Sequence, residues 1–128
     1  MNGERKPVPK ILIVDDDRST STLLRTLFEI EGFVGEVCPK PEDVLNTVRR
    51  EKPDVVLMDV HLADVDSLQI LRAMRGDSEL QAVPVVMTSG LDLREKCEAS
   101  GASGFMQKPF KPTELVALVK QQLAPTKL

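Results

Sequence analysis

Three short apolar runs constrain this chain more than anything else in it. They are KILIVD (10–15), PDVVLMDV (53–60) and VPVVMTSG (83–90). None shows the polar alternation of a one-sided strand, so each reads as a strand buried on both faces. Between them the period changes to that of helices. Residues 18–31 carry Leu23, Leu24, Leu27 and Phe28 at helical spacing, with Ser19 as a candidate cap and Gly32 as a stop. Pro41 suits the first turn of a helix bearing Val44, Leu45 and Val48. Residues 67–75 set Leu68, Ile70, Leu71 and Met74 on a helix that Gly76 ends, and 93–100 form a short helical stretch before Gly101. Pro112 opens a last helix with Leu115, Val116, Leu118, Val119 and Leu123. Two weaker strands, FVGEV (33–37) and SGFMQ (103–107), complete five strand–helix units. That alternation predicts an α/β domain whose parallel sheet is covered by helices on both faces.

The length of 128 residues suits one domain with a real core. The expected division is a flexible leader at 1–9, the domain at 10–123, and a tail or the start of a linker at 124–128. Apolar residues make up 41% and charged residues 29%, as in a soluble globular protein. Phe28, Phe33, Phe105 and Phe110 are the only aromatic residues, so the core is aliphatic and no base-stacking platform is available. A net charge of −3 without a basic stripe argues against direct nucleic-acid binding. No apolar run is long enough to span a membrane, and residues 1–10 lack the apolar stretch of a signal peptide, which predicts a cytoplasmic protein. Cys38 and Cys97 are far apart, in no metal-ligand spacing, and read as reduced thiols.

The first strand poses a charge problem. It runs directly into Asp15, Asp16 and Asp17. Carboxylates at the edge of a core repel one another and lose hydration, so the cluster demands a cation. In open α/β sheets, ligands gather outside the carboxyl ends of the strands. The other strands deliver Asp59, the Thr88–Ser89 pair, and Lys108 before Pro109 to that same edge. Carboxylates of this kind suit a hard divalent cation such as Mg²⁺. Lys108 offers a point charge, and Ser89 a hydroxyl donor. An Asp beside such a cation and a lysine can act as a nucleophile toward phosphoryl groups, giving an aspartyl phosphate.

With ILIVDDD, PDVVLMDVHLADVDSLQIL, VPVVMTSG and GASGFMQKPF in this order, the chain resembles the receiver domain of two-component response regulators over residues 9–123. The resemblance implies a single doubly wound, flavodoxin-like (βα)5 domain with strand order 2-1-3-4-5. It assigns Asp59 as the phosphoacceptor, with Lys108 and Ser89 serving the transfer. It implies an Mg²⁺ site of Asp15, Asp16, Asp59 and the backbone carbonyl of His61, with Asp16 bound directly and Asp15 through water. Ser89 and Phe105 would be the switch pair, acting on the surface of the fourth helix, fifth strand and fifth helix. The implied partners are a histidine kinase or phosphotransfer protein, an output domain beyond residue 128 or a separate partner protein, and a second copy in a phosphorylation-dependent dimer. Catalysis would be limited to self-phosphorylation and self-dephosphorylation.

Departures from the family pattern are local. The loop HLADVDS has Ala63 where the family carries Pro and Ser67 where it carries Gly, so a less rigid loop is expected. The stretch from Ser89 to Gly101 is short, so a trimmed fourth helix is expected. Asp17 is expected to cap the first helix, and the His61 ring to face solvent. Two alternatives remain. One is a phosphatase of haloacid-dehalogenase type using Asp15 as nucleophile and Asp17 as acid; the other is a pseudo-receiver used only for binding.

Overall fold

A computed structural model of the chain describes residues 8–123. Most of the expected leader and the whole tail lie outside those residues. The strands are β1 (Lys10–Val14), β2 (Val34–Val37), β3 (Val55–Asp59), β4 (Val85–Ser89) and β5 (Gly104–Gln107). The helices are α1 (Arg18–Ile30), α2 (Val44–Glu51), α3 (Ser67–Arg75), α4 (Arg94–Ala99) and α5 (Pro112–Leu123). All neighbouring strands run parallel, in the order β2-β1-β3-β4-β5. This is the doubly wound, flavodoxin-like arrangement expected.

Alternate residues of the central strands fill two separate cores. Ile11, Ile13, Val55, Leu57 and Val86 pack with Leu24 and Phe28 of α1 and with Leu115 and Val119 of α5. Leu12, Val14, Val56, Met58 and Met87 pack on the other face, with residues of α2, α3 and α4. The period of two in a strand sends successive side chains to opposite faces, so an unbroken apolar run is what a covered sheet requires.

Some local expectations are corrected. Asp17, not Ser19, caps α1: its carboxylate accepts from the Ser19 N–H at 3.0 Å and from the Thr20 hydroxyl at 3.0 Å. Leu24 and Phe28 are buried, but Leu23 is 69% exposed, because the inward face of α1 runs through Ser21, Leu24 and Phe28. Pro41 opens a 3₁₀ turn, Pro41–Asp43, ahead of α2. The short α4 is borne out at six residues.

Register fixes where the chemistry lies. Asp59 pairs with Thr88, and Ser89 with Gln107, immediately before Lys108. The carboxyl ends of β1, β3, β4 and β5 therefore open onto one edge.

Candidate functional site

Lys108 answers the charge problem posed by the first strand. Its ammonium donates to Asp59 Oδ2 at 2.9 Å and lies 3.7 Å from Asp15 Oδ2. The carboxylates it serves are nearly closed to water, with side chains 7% exposed at Asp15 and 11% at Asp59. Burial works against the Lys108 charge, but the hydrogen bond to Asp59 and the charges of Asp59 and Asp15 outweigh it and raise its pKa. Burial raises the pKa of Asp15, and the Asp17 N–H and the Lys108 charge only partly offset it.

The acidic residues after β1 have three different settings. Asp15 is buried beside Lys108. Asp16 is exposed, and its carboxylate accepts the Ala63 N–H across the edge. Asp17 is spent on α1, where the Thr20 hydroxyl and the Thr20 and Ser19 N–H groups hold its pKa down. The other carboxyl oxygen of Asp59 accepts the His61 N–H at 3.0 Å.

Ser89 and Thr88 are both buried at the end of β4. The Ser89 hydroxyl accepts the Leu91 N–H at 3.0 Å and lies 3.0 Å from His61 Nε2. His61 is exposed, as expected, yet its Nε2 reaches the Ser89 hydroxyl, a contact that the solvent-facing expectation did not include. Phe105 is buried on β5, with the Arg94 guanidinium 5.5 Å above its ring. In the loop after β3, besides the contacts of His61 and Ala63, the Ser67 hydroxyl donates to the Val60 carbonyl.

Among the described residues no three His, Cys, Asp or Glu side chains are grouped to hold a metal ion. The placement of the neighbouring donors explains this. The Lys108 ammonium stands beside both Asp15 and Asp59, and Asp16 is engaged by Ala63. The donor set itself is all hard oxygen, which fits Mg²⁺ chemically.

Residues 11–120 match the family model described as the response regulator receiver domain. The chain belongs to the response regulator receiver family. It is 39% identical over 118 residues to the "DNA-binding response regulator MtrA" of Mycobacterium tuberculosis, covering 89% of this chain and 50% of that protein. The chain thus spans about half the length of the curated relatives it first matches. An uncharacterised 14.6 kDa protein of Leptolyngbya boryana is 32% identical, with 87% of each chain covered. The receiver domain of the Francisella response regulator 1452 superposes with a TM-score of 0.84 at 27% identity, covering 93% of this chain and 99% of that one. This receiver domain is a component of two-component signalling. The dehalogenase-type alternative falls with the family match, and Asp17, its acid, is a helix cap. Among the described residues no helix is long and apolar enough to cross a membrane.

Proposed function

We propose that this receiver takes a phosphoryl group on Asp59 from a histidine kinase or phosphotransfer protein. The observation that carries this reading is the Lys108 ammonium, 2.9 Å from Asp59 and held between it and Asp15. One Asp59 carboxylate oxygen bonds to phosphorus as the donor's N–P bond breaks, and the departing imidazole keeps that electron pair and takes up a proton. Lys108 then pairs with a phosphoryl oxygen, and the Ser89 hydroxyl turns to donate to another. Asp15, Asp16, Asp59 and the His61 carbonyl are the residues that would hold Mg²⁺. When bound, the cation offsets the repulsion between acceptor and phosphoryl oxygens.

Withdrawal of Ser89 changes the packing beside Phe105, one strand away, and so biases the surface of α4, β5 and α5. The output is a partner, a second copy or a domain beyond Leu128, in line with the longer relatives. The reaction is confined to the protein's own phosphorylation and dephosphorylation, in the cytoplasm.

Intact-mass spectrometry with Mg²⁺ and acetyl phosphate tests the assignment. The expected result is one base-labile phosphoryl group on the wild type and none on Asp59→Ala. Full labelling of the Ala variant overturns it.

A further inference from the structure

The loop between β3 and α3 grips Asp16, Asp59 and the Ser89 hydroxyl. The Ala63 N–H donates to a carboxyl oxygen of Asp16. Three residues of chain, His61 to Ala63, also carry the His61 N–H to Asp59 at 3.0 Å and the His61 ring to Ser89 at 3.0 Å. The Ser67 hydroxyl fastens the start of the loop at the Val60 carbonyl. The bonds to Asp16 and Ser89 join residues 47 and 28 positions apart in sequence, and neither repeats a contact of the sheet.

We propose that Ala63 is a positioning residue whose N–H latches the loop onto Asp16, in competition with a divalent cation for the same carboxylate. The inference rests on reading Asp15, Asp16 and Asp59 as cation ligands. A peptide N–H on a carboxylate is a charge-assisted bond, and here it holds one oxygen of Asp16 and turns the carboxylate toward the loop. While the latch is shut, Asp16 faces the loop and no three acidic groups converge. Cation binding must open it, so the apparent affinity is lowered by the fraction of molecules already open. A hydrogen bond to a charged group favours the shut form by about tenfold. His61 anchors the same loop at Ser89, so opening at Asp16 also loosens the partner of the hydroxyl that phosphoryl transfer requires. The latch thus couples cation entry to release of Ser89.

Mg²⁺ titrations of wild type, Ala63→Pro and Ala63→Ser, followed by NMR, test the latch. Proline has no N–H to donate, whereas serine keeps it. Ala63→Pro is expected to bind Mg²⁺ about tenfold more tightly than wild type, and Ala63→Ser as wild type does. Damage to the loop alone would weaken binding, so a gain separates the latch from a structural role. Equal or weaker binding by a natively folded Ala63→Pro overturns the latch and leaves the acceptor assignment standing. Absence of Mg²⁺ binding in every variant overturns both. If Ala63→Pro does not fold, hydrogen exchange of the wild-type Ala63 amide decides: about tenfold faster exchange at saturating Mg²⁺ supports the latch, and an unchanged rate overturns it.

Discussion

The two edges of the sheet carry charge in opposite ways. At the amino edge, cations and anions are matched and half-exposed. Lys10 pairs with Glu51 at 3.1 Å and donates its backbone N–H to Asp54 at 2.8 Å. Arg49 pairs with Asp77 and with Glu79. Ion pairs open to water in this way contribute little to stability. At the carboxyl edge, Asp15 and Asp59 are shielded from water and share one ammonium, while Asp16 has only a peptide N–H. Two shielded carboxylates share one ammonium, so negative charge is in excess where solvent screens it least. The comparison teaches that the acting edge is marked by unbalanced charge, and not by the number of charged residues.

Removing the shared ammonium has the largest expected effect on this contrast. Lys108→Ala leaves two nearly buried carboxylates facing each other and is expected to destabilise the Mg²⁺-free protein by about 2 kcal/mol. Urea unfolding reads that loss, and the amide-shift response to beryllofluoride is expected to shrink sharply. A variant as stable and as responsive as wild type would break the contrast. Next come the neighbouring acids. Asp16→Ala is expected to weaken Mg²⁺ binding by at least about tenfold. Asp17→Ala is expected to leave that affinity largely intact and lower Tm, because it removes the cap of α1. The reverse order in a metal titration would mean that the metal-binding acids are misassigned.

The smallest effect belongs to the amino edge. Asp77 accepts the Glu79 N–H at 2.8 Å and pairs with Arg49, and these hold its pKa below the usual carboxylate value. A lowered carboxyl pKa contributes stability that is full above the unfolded-state value and is lost as pH falls through the folded-state value. Asp77→Asn is therefore expected to lower the urea midpoint slightly near neutral pH, with the difference from wild type vanishing in strong acid. A difference that grows toward acid would contradict the pairing.

Much of this was legible in the sequence because it follows from burial. The runs around Ile11–Val14, Val55–Met58 and Val85–Met87 read as covered strands since both faces had to be apolar. Asp15, Asp59 and Lys108 could be brought together because strands of a parallel sheet end at one edge. Strand order came from family resemblance alone, since periodicity does not say which run lies beside which. Adjacent leucines misled at α1: Leu23 and Leu24 cannot share a face, and only Leu24 is buried. The Ala63 N–H and the His61 ring were missed for a different reason. Their contacts depend on the path of the backbone after Asp59, which hydrophobic pattern does not encode. The replacement of Pro by Ala63 and of Gly by Ser67 marked that loop, and each replacement adds a donor that the structure uses.

An amide chemical-shift map of the wild type, recorded free, with Mg²⁺, and with Mg²⁺ plus beryllofluoride, tests the unbalanced edge most directly. The account predicts that Mg²⁺ moves the amides of Asp15, Asp16, residues 59–63 and Ser89, and that beryllofluoride extends the change to Phe105 and Lys108. Arg49, Asp77 and Glu79 should stay still throughout. Movement concentrated at those amino-edge residues, or no movement at Asp59 and Lys108, would contradict it.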